Sequence, residues 1–84
     1  VSVNHRTAAY MESYFDIIFA MNELTHPGEK RMVQIALEQA RVLPQDFEKN
    51  LTVLYQNLFA HPQNVEHDIV TLTENLRLCL STLS

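Results

Sequence analysis

The densest group of side chains with binding chemistry in this 84-residue sequence is the run His26-Pro27-Gly28-Glu29-Lys30-Arg31. A Pro-Gly pair before a polar run is typical of a helix start, where N–H groups without intrahelical partners and the helix dipole favour an anion. Lys30 or Arg31 would supply positive charge, and Gly28 and His26 are the other candidates for contact with a nucleotide or anion. The run therefore predicts a phosphate or carboxylate site, and a solvated first turn without a ligand is the alternative. It is not a Walker loop, because the second Gly-Lys and the following Ser or Thr are missing.

Two polar residues, Asp16 and Asn22, interrupt the most apolar stretch of the chain. A buried polar group needs hydrogen-bond partners, so each must lie at the rim of a core or bind something specific. For Asp16 we expect a rim position or a pair with a cation. For Asn22 we expect a hydrogen bond that fixes the loop of His26, with contact to a ligand as the alternative.

Other site chemistry has little support in the sequence. His61 and His67 lie on either side of a predicted helix start, no His-Glu-x-x-His motif occurs, and Cys79 has no second cysteine, so we expect no metal site. Cys79 is expected to be a small buried hydrophobe and not a nucleophile. Four aromatic residues at helical spacing are typical of a core, and a small-ligand pocket among them is the alternative: Phe15, Phe19, Tyr55 and Phe59.

The elements that must position these residues follow from the places of Pro and Gly. These occur at Pro27-Gly28, Pro44 and Pro62 and divide the chain into four segments, each with helical apolar spacing. We predict helices over about 7–24 and 28–42, a third with Pro44 in its first turn, and a fourth capped by Asn64. The apolar rows of the third and fourth helices are Phe47, Leu51, Leu54 and Leu58, and Val65, Ile69, Leu72, Leu76, Cys79 and Leu83.

Short connections between these helices predict an all-α fold, a four-helix up-and-down bundle that forms one domain over residues 1–84. In such a bundle the first and third loops lie at the same end. His26, Lys30, Arg31, His61 and His67 would then share one pole of the molecule.

Composition narrows the classes of partner. Ten Asp and Glu residues against six Lys and Arg residues give a net charge of −4, which argues against direct binding of nucleic acid. We find no apolar run of membrane-spanning length and no signal pattern, and a lone cysteine fits a reducing compartment, so we expect a cytoplasmic protein without a membrane partner. Because the chain begins with Val1 and not Met, we expect it to be the C-terminal fragment of a longer protein.

The sequence also resembles a known kind of domain. The carrying residues are the run from Tyr14 to Asn22, which reads Tyr-Phe-Asp-Ile-Ile-Phe-Ala-Met-Asn, then the run 26–31, then Leu43-Pro44. They resemble a helical domain found C-terminal to nucleotidyltransferase-fold domains, in proteins similar to the aminoglycoside and lincosamide nucleotidyltransferases. That pattern is an aromatic-rich helix ending in Phe-Ala-Leu-Asn followed by Pro-Gly-Glu-Lys, and Met21 here replaces its Leu. The resemblance covers residues 6–83 and is specific in the first thirty or so.

The resemblance implies a division of labour. In such enzymes an N-terminal α/β domain carries a Gly-Ser pair and paired carboxylates that hold Mg²⁺ and the nucleotide, and this chain has neither motif. The resemblance therefore implies a partner domain N-terminal to this one, no catalytic residue or cofactor of its own, and Lys30 with Arg31 at the edge of the cleft. A stand-alone helical interaction module, binding a partner or forming a homodimer, is the alternative.

Overall fold

The computed structural model describes residues 3–28 and 31–83, and all regular structure in those ranges is helical. Its α-helices are α1 (Val3–Met21), α2 (Met32–Gln39), α3 (Phe47–Ala60) and α4 (Val65–Thr82), and a short 3-10 helix, Pro62–Asn64, leads into α4. The all-α, four-helix class predicted from the sequence is confirmed for these ranges. The chain divides into two compact units, Val1–Val42 (unit 1) and Leu43–Ser84 (unit 2).

In unit 1, α1 supplies the larger apolar surface, as its composition predicts. Its side chains Phe15 and Ile18 are fully buried, and α2, which packs against α1, buries Ala36 completely. The rings of Phe15 and Phe19 lie 6.1 Å apart, and Tyr14 meets Phe15 edge to face at 5.6 Å. The edge-to-face arrangement of Tyr14 and Phe15 is one that aromatic rings favour.

The C-terminal end of α1 is closed by a Schellman motif. The N–H of Leu24 donates to the carbonyl of Phe19 at 2.9 Å, and the N–H of Glu23 donates to the carbonyl of Ala20 at 3.1 Å. The motif requires a residue in the left-handed conformation just beyond the helix end, and Glu23 occupies that position with φ 57°. Glycine is the usual residue at this position, because the Cβ of any L-residue makes this conformation sterically unfavourable.

We therefore expect Glu23→Gly to stabilise the protein, by about 1 kcal/mol, since the strain of a left-handed L-residue exceeds the extra backbone entropy of glycine. Urea denaturation measures the change. The matched control is Glu12→Gly at an exposed interior position of α1, where glycine should instead destabilise by about 1 kcal/mol. A loss of stability at both positions would contradict the strain assigned to Glu23.

Helix α2 is shorter at both ends than predicted. It begins at Met32 and not at Gly28, because Gly28 (φ 95°) and Arg31 (φ 61°) are both left-handed, and the first helical bond runs from Ile35 N–H to the Arg31 carbonyl. It ends at Gln39 and not at 42, because Ala40 is extended (ψ 135°). The prediction of a helix over 28–42 is thus wrong by several residues at each end.

In unit 2, the starts of α3 and α4 also differ from prediction. Pro44 precedes α3 in a turn in which the N–H of Phe47 donates to its carbonyl at 3.2 Å, and the left-handed Asp46 (φ 56°) leads into the helix. Pro44 is therefore not in the first helical turn. Asn64 precedes α4 as predicted, but its side chain makes no capping hydrogen bond, so its predicted capping role is wrong.

The apolar rows of α3 and α4 are largely confirmed. The two helices pack on each other, and Phe47, Leu51 and Leu54 of α3 are buried. On α4 the buried apolar residues are Val65, Leu72 and Leu76. The other members of the rows are less buried, since Leu58, Ile69 and Cys79 are half-buried and Leu83 is exposed.

Candidate functional site

The polar residues singled out in unit 1 gather at the end of α1 and in the loop that follows it. Asn22 is buried and directly follows α1. The loop 24–28 carries His26, Pro27 and Gly28, and ends on the exposed side of the unit. Arg31 lies at the N-terminal end of α2.

Asn22 makes four hydrogen bonds with main-chain groups. Its Oδ1 accepts from the N–H groups of Arg41 (2.9 Å) and Val42 (2.8 Å). Its Nδ2 donates to the carbonyls of Ile18 (2.9 Å) and Val42 (2.8 Å). Two acceptor and two donor positions are all that an asparagine amide offers, so the side chain is saturated.

These bonds correct the partner predicted for Asn22. The expected bond to the loop of His26 is wrong, because the segment that Asn22 holds is the one after α2, residues 41 and 42. The same bonds explain why α2 stops early, because the N–H groups of Arg41 and Val42 donate to Asn22 and not to helical carbonyls. Because its bonding capacity is filled internally, Asn22 has no free amide group for a ligand.

The two ring nitrogens of His26 face different groups, one in its own loop and one on α1. Its Nδ1 accepts from the N–H of Gly28 at 3.1 Å, and its Nε2 lies 3.3 Å from Oδ1 of Asp16. The ring of Phe19 meets the imidazole edge to face at 5.4 Å. Asp16 is an exposed rim residue, as one of the two expected readings predicted, and its neighbour is the imidazole of His26, which the sequence did not single out.

This arrangement limits what His26 can do chemically. A general base needs a ring nitrogen that can reach a substrate proton. Here Nδ1 accepts from Gly28 and Nε2 is shielded from solvent against Asp16. The pair of Asp16 and His26 therefore positions the loop and is not placed to take a proton from a substrate.

Three of the four residues of the predicted anion site, His26, Gly28 and Arg31, lie within the described residues. Gly28 lies in the loop, and its N–H already donates to His26. Arg31 is exposed, and its Nε donates to Oε1 of Gln34 at 3.1 Å. Lys30 lies outside the described residues. His26 and Gly28 are thus brought together, and the contribution of Lys30 with Arg31 stays a prediction.

Unit 2 holds the other candidates, and one polar contact that spacing did not reveal. Nδ2 of Asn57 in α3 donates to Oδ2 of the buried Asp68 in α4 at 2.6 Å. Asp68 lies in the first turn of α4, where the helix dipole favours an acid. The polar pair therefore holds the connected ends of the hairpin together.

His61 and His67 are exposed residues of unit 2. The pole predicted for them together with His26 stays a prediction. In the described ranges, no group of three or more His, Cys, Asp or Glu side chains is arranged to hold a metal ion. None of the helices that the structure describes is both long and apolar enough to cross a membrane.

Cys79 is half-buried on α4, and burial raises the pKa of its thiol above the ordinary cysteine value. A raised pKa lowers the thiolate fraction at neutral pH, and the thiolate is the nucleophilic form. Both observations agree with a packing role. Burial likewise raises the pKa of the Tyr55 hydroxyl.

The four aromatic residues weighed as a ligand pocket fall into two groups. Phe15 and Phe19 are core residues of unit 1, as their spacing predicted. Tyr55 is 44% exposed and Phe59 is 94% exposed, both on α3. A side chain as exposed as Phe59 does not line an enclosed pocket, so the pocket alternative is wrong for this residue.

No protein-family model, no curated protein and no solved structure matches this chain.

Proposed function

We propose that this chain is a non-catalytic helical accessory domain of a nucleotidyltransferase-like protein in the cytoplasm, flanking the cleft for nucleotide and acceptor. The main support for the proposal is that the residues on which the resemblance rests form structural contacts. Asp16, Phe19, Asn22, His26 and Gly28 all contact one another or nearby main chain, and together they build the end of α1 and the loop after it. Side chains that are engaged in contacts of this kind hold a loop in place and do not catalyse a reaction.

The loop presented by these contacts leads towards the predicted anion contact. Pro27, Gly28 and Arg31 are exposed. The Nε of Arg31 is bonded to Gln34, while its two terminal Nη groups donate to none of the residues described. A guanidinium with free terminal N–H groups suits a phosphate or carboxylate. The nucleotide and the Mg²⁺ would be held mainly by the N-terminal catalytic domain.

Nucleoside triphosphate binding tests the anion contact. We expect Lys30→Ala combined with Arg31→Ala to weaken ATP binding by about tenfold, since two charge-assisted hydrogen bonds are lost at an exposed site. Isothermal titration calorimetry of the full-length protein, in the presence and absence of Mg²⁺, measures the change. The control pairs Lys49→Ala with Arg77→Ala, which removes the same charge from exposed positions of unit 2.

Equal ATP affinity in the parent and the Lys30/Arg31 double variant, or an equal loss in both double variants, would contradict the proposal. The thermal midpoint should stay within a few degrees in each double variant, because exposed charged residues contribute little to stability. The coding sequence upstream of Val1 gives an independent check. A Gly-Ser pair and paired carboxylates there support the accessory role, and a start codon directly before Val1 contradicts it.

A stand-alone interaction module is the second candidate, and one observation favours it. Tyr55 and Phe59 are four residues apart on α3, so they lie on one helix face, and Phe59 is almost fully exposed. Large exposed aromatic side chains in neighbouring positions are common at protein interfaces. Sedimentation distinguishes the candidates, since a concentration-dependent homodimer favours the module and a strict monomer counts against self-association.

A further inference from the structure

The imidazole of His26 has contacts on its two nitrogen atoms that respond differently to protonation. Nδ1 accepts the N–H of Gly28 at 3.1 Å. A neutral imidazole has one acceptor and one donor nitrogen, so this bond places the ring proton on Nε2. Nε2 is shielded from solvent and lies 3.3 Å from Oδ1 of Asp16, without forming a hydrogen bond to any residue that the structure describes.

Protonation of the ring would break the hydrogen bond from Gly28 to Nδ1 and keep the contact of Nε2 with Asp16. The added proton must go to Nδ1, and an imidazolium ion is a donor at both nitrogens. Nδ1 could then no longer accept from Gly28, and two N–H groups would face each other. The contact with Asp16 would become an ion pair, which gains little because 62% of the Asp16 side chain is exposed.

The surroundings of His26 contain little else that would hold the turn. The edge-to-face contact with Phe19 at 5.4 Å keeps the ring on α1 in both protonation states. Asp16 is, of the residues described, the one charged group within ion-pair distance of the ring, and residues 24–28 of its own loop carry no acid or cation besides His26. Gly28 has open space around the position of a Cβ, so its turn is not packed against other groups.

We propose that His26 is a proton-controlled clamp on the Pro27-Gly28 turn, in which the neutral imidazole holds the turn and the imidazolium ion releases it while staying beside Asp16. The clamp is a property of unit 1 and does not depend on the ligand or partner proposed above.

The chain has one glycine, so labelling with ¹⁵N-glycine gives a single backbone amide signal, that of Gly28. In the full chain we expect the protection of this amide from hydrogen exchange, relative to its intrinsic rate at each pH, to fall about three- to tenfold from pH 8 to pH 5, the worth of one net hydrogen bond. The midpoint should coincide with that of the His26 ring signals in the same sample.

Two variants sharpen the test. His26→Phe keeps a ring against Phe19 and removes both nitrogens, so Gly28 should show low protection at every pH. His61→Gln changes the other His-Pro pair of the chain at an exposed position and should leave the Gly28 transition unchanged. Constant protection of Gly28 in the parent protein, a midpoint that differs from that of His26, or a transition that survives in His26→Phe would each overturn the clamp.

Discussion

Asn22→Ala is expected to destabilise the protein by about 3 kcal/mol. The substitution removes four hydrogen bonds from a side chain that is 7% exposed, and it leaves main-chain groups of Arg41 and Val42 without their partners. Each net hydrogen bond contributes roughly 1 kcal/mol, and a buried group left unsatisfied costs about 1–3 kcal/mol. Partial access of water to residues 41 and 42 keeps the sum below that of four fully buried losses.

Urea denaturation followed by circular dichroism measures the Asn22 effect. Asn64→Ala is the matched control, because Asn64 is exposed and makes no capping bond, and we expect a change within about 0.5 kcal/mol. A loss below 1 kcal/mol for Asn22→Ala would contradict the role of its amide.

Asn22→Asp separates the donor half of the amide from the acceptor half. The carboxylate keeps acceptors for the N–H groups of residues 41 and 42 but sets a negative charge against the carbonyls of Ile18 and Val42. Its pKa in the folded state should therefore be raised. Stability lost at neutral pH should then return in part as the pH falls through that raised value, because the protonated acid can donate. Equal loss at all pH values would contradict the donor assignment.

Phe19→Ala is expected to have the largest effect, a loss of about 3–5 kcal/mol, the range for removal of a fully buried aromatic side chain. Phe19 is 1% exposed and contacts the rings of Phe15 and His26. Domains of this length are stable by roughly 4–13 kcal/mol, so the variant would lose a large part of its stability. Thermal unfolding in the presence of a stabilising osmolyte keeps the transition measurable.

Phe59→Ala is the matched control for Phe19→Ala, because the same atoms are removed from a side chain that is 94% exposed. We expect a change within about 0.5 kcal/mol. Phe19→Leu provides a milder variant, with an expected loss of about 1.5 kcal/mol if the fold remains intact. Similar losses for Phe19→Ala and Phe59→Ala would show that the burial assigned to these residues is wrong.

Helical spacing alone was enough to predict the four helices and most of their buried rows. Leu51, Leu54, Leu72 and Leu76 are buried because apolar residues at three- and four-residue intervals can only be covered together on one side of a helix. The same reasoning found that Asn22 must be satisfied by a specific partner. Helix positions, buried rows and the need of a buried polar group for a partner can be predicted because they depend on residues close together in the sequence.

The features that spacing could not predict depend on the path of the chain outside the helices. Glu23 and Arg31, both in the left-handed conformation, change the direction of the chain, and a positive φ cannot be predicted from these residue types. The partners of Asn22 lie 19 and 20 residues downstream, so the bond depends on that path. A signal for the contact of Asp16 with His26 was present, since Asp16 and Phe19 share a helix face and both meet the imidazole.

The four bonds of Asn22 have a consequence for the order in which unit 1 comes apart. Helix α2 has eight residues, too few to persist alone in water, and Ala36 is its one fully buried side chain among the residues described. Its survival depends on being anchored, and Asn22 is the anchor at its C-terminal end. Local opening of unit 1 should therefore begin when residues 41 and 42 break their hydrogen bonds with the Asn22 side chain. Helix α2 should then unfold as one cooperative segment, while α1 keeps its backbone hydrogen bonds.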